Sequence, residues 1–96
     1  MSAYVIVNID VQDAELYEEY RAKVPAFIQK YGGEYLARGG NLVVMEGDWM
    51  PRRLVLFRFP DMASAQAMLD DPEYQPLKAL RQRAARTQMV AVEGVP

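Results

Sequence analysis

Arg38, Glu46 and Arg58 are charges set on, or at the ends of, otherwise apolar extended runs in the middle of this 96-residue chain. A charge taken out of water is costly unless it is paired or hydrogen-bonded, so residues of this kind are the first candidates for chemistry. If the chain doubles back near Trp49, side chains that alternate along each strand put Glu46 and Arg58 on one face with Leu42, Val44, Leu54 and Leu56. Asn8, on a strand near the N-terminus, adds an amide to that face. An apolar hollow with a few fixed polar groups is the usual make-up of a ligand site. An arginine fork there suits a carboxylate, and Trp49 offers a flat surface for stacking. The candidate ligand-binding residues are therefore Asn8, Arg38, Glu46, Trp49 and Arg58, and the candidate ligand is a small apolar or acidic metabolite. A plainer reading competes. Strand-end charges are often solvated, Glu46 can pair with Arg52 across the turn, and Trp49 can pack at a core edge or an interface.

The residues that are absent limit the chemistry. The chain has no histidine and no cysteine. That removes Ser-His-Asp catalysis, histidine-ligated metals, thiolate chemistry and any disulfide framework. Proton transfer, if there is any, falls to Glu46, an aspartate or a tyrosine whose pKa burial has moved. No cofactor is expected. Asp70, Asp71 and Glu73 form an acidic cluster, which reads as helix capping rather than a metal site. The glycine pairs are followed by no phosphate-loop pattern. A net charge of −2 and a pI near 5.0 argue against a nucleic-acid partner. The basic residues Lys78, Arg81, Arg83 and Arg86 read as a solvated helix face. No apolar run approaches the ~20 residues that span a bilayer, and the N-terminal segment has no basic start and no small-residue cleavage site. The expectation is a cytoplasmic protein without a membrane partner.

Residues 1–96 are expected to form a single domain. Residues 3–11, with Val5, Ile6, Val7, Ile9 and Val11, read as a strand buried on both faces. Asp13 is a cap for a helix whose apolar side carries Leu16, Tyr20, Val24, Phe27 and Ile28. Pro25 should kink that helix or restart it, and Gly32-Gly33 ends it. Residues 34–38 and 41–47 read as extended. Gly39-Gly40 between them is either a two-residue hairpin turn or a bulge in one bent strand, and the bent strand is favoured. Residues 52–59 form a further strand. Asp61 caps the next helix and Asp71-Pro72 starts another, where Tyr74 packs the helix start. Residues 87–92 close the chain as a strand. A βαββαβ order at this length is the split-βαβ, ferredoxin-like arrangement: an α+β fold with an antiparallel sheet. The sheet is apolar on both sides but has helices enough for one, so a partner chain should cover the open face.

Taken together and in this order, YGGEYLARGG, VVMEGDW, FRFPDMASA and DPEYQPLKALRQRA resemble the small bacterial proteins classed as domain of unknown function 1330. The resemblance covers nearly the whole chain. It implies ferredoxin-like subunits that pair face to face as a homodimer, a dimeric α/β barrel, and it carries no settled activity. The family pattern usually has an acidic residue before the Phe-Pro pair, where this chain has Arg58. A role for that acid does not transfer. Two functions remain in view: binding or conversion of a small metabolite in the barrel interior, or a non-catalytic interaction module whose polar strand residues set the dimer register.

Overall fold

A computed structural model describes residues Met1–Pro96. The elements are β1 (Ala3–Val11), α1 (Ala14–Lys30), β2 (Glu34–Arg38), β3 (Leu54–Phe59), α2 (Met62–Asp70), α3 (Gln75–Ala84) and β4 (Ala85–Glu93). The strands form one antiparallel sheet in the order β2-β3-β1-β4. This is the ferredoxin-like α+β arrangement, with the longest strands, β1 and β4, paired along their whole lengths.

Strand alternation divides the sheet into two apolar faces. Val5, Val7 and Ile9 of β1 are buried beneath the helices, and register brings Val55, Phe57, Met89 and Ala91 to the same side. The other face carries Ile6, Leu54 and Leu56, all half-buried, with Val90 62% and Val92 53% exposed. No element of this subunit covers that second face. The helices use up their apolar stripes on the first: Tyr17, Tyr20, Val24 and Ile28 of α1 and Leu77 and Ala84 of α3 join one core with the strands.

Local chemistry sets the helix ends. Asp13 Oδ1 accepts from the Leu16 amide at 3.2 Å and Asp61 Oδ1 from the Ser64 amide at 2.7 Å, as N-caps do. The bond from Ser64 holds the Asp61 carboxyl below its ordinary pKa. Pro25 lies inside α1 without ending it. At the C-terminus Gly32 takes φ +77°, and Gly33 lies so close to Ile28 and Phe59 that a side chain there would collide with both. Asp71 sits in the connection between α2 and α3 and binds it back to α1. It accepts from Lys30 Nζ at 2.7 Å, the Tyr31 hydroxyl at 2.6 Å and the Glu73 amide at 2.8 Å. These bonds, Lys30 first, pull its pKa down to about 2. They also fix the turn that delivers Tyr74 to the core. The helix itself begins at Gln75 with Pro76 in its first turn, three residues later than the Pro72 start expected from the sequence.

Residues 39–53 depart most from expectation. The run 41–47 is not part of the sheet, and Gly39-Gly40 makes neither a two-residue hairpin nor a continuous bent strand. β2 ends at Arg38, and the irregularity in its pairing lies at Leu36, between Tyr35 and Ala37. Gly39, at φ +70°, donates its amide to the Leu54 carbonyl at 2.9 Å and turns the chain off the sheet beneath the Arg53 guanidinium. The physical reason is the lack of a partner. β2 is the edge strand, so a β-branched run beyond it finds no neighbouring ladder within the subunit to satisfy its amides and carbonyls. Val43, Met45, Trp49 and Met50 consequently stand exposed.

Candidate functional site

The largest hollow lies on the helix side of the sheet, beneath α2. Its volume is about 410 Å³, and Gln66 is the one lining residue that is not hydrophobic. Met62, Ala65 and Leu69 of α2 form the roof, and Val5, Phe57, Met89 and Ala91 belong to the floor. That volume is within the range of small-molecule sites.

Two tyrosines supply polarity at the wall of this cavity. Tyr20, on the buried stripe of α1, and Tyr74, in the turn before α3, meet hydroxyl to hydroxyl at 2.8 Å. Tyr74 is 1% exposed, and its ring packs on Phe27 with centroids 5.5 Å apart. Burial, then the neighbouring Tyr74, pushes the Tyr20 hydroxyl well above the ordinary phenol range, so it stays protonated at any physiological pH. In such a pair one hydroxyl donates to the other, and the acceptor keeps its own hydrogen to offer. The pair can therefore hold a carbonyl, hydroxyl or ether oxygen of a ligand.

A second, much smaller cleft of about 30 Å³ adjoins this cavity. Tyr20, Phe57 and Met89 line both. The cleft adds Tyr17, Tyr35 and three arginines: Arg21 of α1, Arg38 of β2 and Arg81 of α3. Arg38 Nη2 donates to the Arg21 carbonyl at 3.1 Å, and its guanidinium lies 4.5 Å from the centre of the Tyr35 ring. Burial raises the Tyr35 pKa, partly offset by Arg38. Arg81 is buried, so the basic run 78–86 is not a uniformly solvated face.

The five candidates from the sequence are distributed over three places. Arg38 lines the small cleft. Asn8 and Arg58 belong to the open face, where Asn8 Oδ1 accepts the Arg52 amide at 3.2 Å and Arg58 pairs with Glu34 on the neighbouring strand. Glu46 and Trp49 line an open groove of about 310 Å³ under the 39–53 segment, and Glu46 makes no ion pair with Arg52. The structure thus does not bring the five together. Tyr20, Tyr74 and Arg81 were not among the candidates. A signal for Arg81 was present in the sequence: Leu77, Arg81 and Ala84 are spaced as one helix face, which is the apolar one. Tyr20 was read as packing, and no local pattern connects it to Tyr74, which is 54 positions away. No group of three acidic, histidine or cysteine side chains is arranged to hold a metal ion.

The profile described as "Domain of unknown function (DUF1330)" matches residues 2–95. No curated protein matches the chain. Among solved structures, RPA0582 of Rhodopseudomonas palustris, a protein of unknown function, superposes with a TM-score of 0.79 at 17% identity, over 99% of this chain and 83% of that one. A dimeric ferredoxin-like protein of unknown function from Jannaschia sp. CCS1 gives 0.76 at 17% identity, over 98% and 100%. SnoaB of Streptomyces nogalater, a cofactor-independent oxygenase, gives 0.67 at 12% identity, over 99% and 94%. At these identities the likeness is one of fold.

Proposed function

This chain belongs to the DUF1330 family, which brings a fold and no assigned activity, and from that premise we propose that it binds a small, largely apolar molecule in the cavity beneath α2. The observation that carries the reading is the cavity itself: about 410 Å³ with an almost wholly hydrophobic lining and a buried hydroxyl pair at its wall. A core of this size is normally filled, because voids forfeit packing. The wall offers no carboxylate and no imidazole, so any proton transfer in the cavity would run through the Tyr20–Tyr74 pair. SnoaB shares the fold and acts as an oxygenase, which favours a small organic ligand without identifying one.

The active unit in this proposal is a homodimer in the cytoplasm, formed through the open sheet face. Two things support the pairing: the apolar residues that face leaves uncovered and the dimeric state of the Jannaschia protein. In that assembly Asn8 and Arg58 line the barrel interior, Arg38 serves the cleft beside the cavity, and Glu46 and Trp49 flank the exposed arm. No helix is long and apolar enough to cross a membrane. A non-catalytic interaction module would account for the open face but would leave the cavity without a use.

A thermal-shift panel of neutral aromatic and aliphatic compounds tests the proposal. A ligand at 100 times its Kd adds about 2.7 kcal/mol, or roughly 10–20 °C in a domain of this length. Ala65→Phe, which places a ring in the cavity, should remove the shift while the protein stays folded. No shift with any compound, or a shift that survives Ala65→Phe, overturns the reading.

A further inference from the structure

Arg81 is a positive charge where charges are expensive. It lies on the buried stripe of α3 with Leu77 and Ala84 and is 7% exposed. Its Nε has no hydrogen-bond partner. It takes no part in the ion pairs of the subunit, which join Arg21 to Glu18, Lys23 to Glu19, Lys30 to Asp71 and Arg58 to Glu34. A guanidinium cannot escape the cost of burial by giving up its proton. Buried charges persist where an opposite charge or a full set of hydrogen bonds meets them. The helix dipole does not explain the placement, since Arg83 meets the negative end of α3 from solvent in the same turn.

The surroundings add charge of the same sign. Arg21 and Arg38 line the cleft with Arg81, and none of its lining residues is acidic. Tyr17, Tyr20 and Tyr35 complete it with hydroxyl-bearing rings. Arg21 is met by Glu18 at the surface, but Arg38 and Arg81 have no carboxylate partner. At about 30 Å³ the cleft holds a head group and no more. Room for a body lies on the other side of Tyr20, Phe57 and Met89, the residues it shares with the 410 Å³ cavity. That cavity has no charged lining residue, so a second ionised group on the ligand would find no partner there.

We propose that Arg81, flanked by Arg21 and Arg38, binds the carboxylate of an apolar monocarboxylic acid whose body occupies the cavity beneath α2. The placement of the body rests on the ligand-binding reading given above. The head-group site rests on the buried Arg81 and its cleft neighbours, independently of that reading. The buried guanidinium gains its missing partner, the carboxylate gains a fork of donors, and the apolar chain or ring leaves water.

The test compares 4-phenylbutyrate with its neutral isostere 4-phenylbutyramide by calorimetry, and formate with chloride at equal ionic strength by thermal shift. With the wild-type protein the acid should bind about tenfold or more tighter than the amide, as expected for a charge-assisted contact. Arg81→Met should bring the acid down to the level of the amide without lowering Tm. Arg38→Gln, at an exposed position, should weaken the acid several-fold, and it decides the matter if Arg81→Met does not fold. Equal binding of acid and amide to wild type overturns the head-group site and leaves the cavity reading standing. If neither compound binds, the cavity reading falls and formate decides the head-group site by itself. Stabilisation of wild type but not of the variant supports it, and no difference from chloride overturns it.

Discussion

Replacing Tyr74 by phenylalanine tests the description of the cavity wall directly. The Tyr20–Tyr74 contact, at 2.8 Å, has the length of an ordinary O–H···O bond and links two residues that are 7% and 1% exposed. Removing one hydroxyl removes the bond and leaves the other buried without its partner, a loss of about 1–3 kcal/mol. Tyr20→Phe should cost the same by the same argument. If the two losses were independent, the double variant would lose about 2–6 kcal/mol. The structure says they are not independent, because each hydroxyl is the partner of the other. The double variant orphans nothing, so it should lose no more than either single one, with a coupling energy of about 1–3 kcal/mol. In a domain of this length each kcal/mol is about 4–8 °C of Tm.

Urea unfolding followed by far-UV circular dichroism is the suitable assay. Trp49, the single tryptophan, is 61% exposed and reports poorly on the core. Protein concentration must be held fixed, since the proposed pairing of subunits would add to apparent stability. Unchanged m-values would show that the variants unfold from the same compact state. Strictly additive losses would refute the reasoning, because they would mean that something other than the tyrosine partner satisfies each hydroxyl. Singles that cost nothing would refute it as well, because water from the cavity would then be replacing the lost partner in full.

Stability should form a plateau in pH. Asp71, pulled from 3.8 to about 2, stabilises the fold above its ordinary value, and that contribution disappears as pH falls from ~4 toward 2. Tyr20, raised above 10.0 chiefly by burial, ionises first in the unfolded chain, so stability falls again as pH climbs past ~10; a Tm profile flat across both edges would contradict these assignments. Leu56→Arg on the open face should convert a dimer to a monomer by light scattering while circular dichroism stays native; a variant still dimeric would remove that face from the interface. Arg58→Ala breaks a pair with Glu34 that is half-exposed in the single chain; an unfolding free-energy change of only about 0–1 kcal/mol would leave that pair in solvent and count against the dimer, whereas the barrel interior proposed for Arg58 calls for a loss of several kcal/mol.

Features set by a few adjacent residues were legible in the sequence. Asp13 and Asp61 cap the helices they precede, and the alternation of Val5, Val7 and Ile9 against Ile6 and Asn8 defines both faces of the sheet. Propensity misled where it had to specify a partner. Val43, Val44 and Met45 have the composition of a strand, but a strand needs a ladder, and beyond the edge strand β2 the subunit provides none. The placing of Glu46 on one face with Arg58 depended on that strand. Arg81 failed for a different reason. Its neighbours Lys78, Arg83 and Arg86 suggested a solvated cluster, although Leu77 and Ala84 assign position 81 to the buried side. Residue type was allowed to outweigh helical phase, and phase decides burial.

Two of the side chains that line the cavity are alanines. Ala65 lines it from α2 and Ala91 from β4, at points where a longer side chain would take up part of the space. If a space of about 410 Å³ were sealed and dry, the cavity term of about 24 cal/mol per Å³ would bring its cost to roughly 10 kcal/mol. That is as large as the whole stability of a typical domain, about 5–15 kcal/mol. A 96-residue fold cannot retain such a void as a closed defect, so the space must remain accessible and exchange its contents with solvent. Accessibility is what a ligand requires. The same two alanines therefore withhold stability from the core and admit a guest to it. Substitutions that fill the space should raise Tm and abolish binding together, the usual opposition between stability and function at a site.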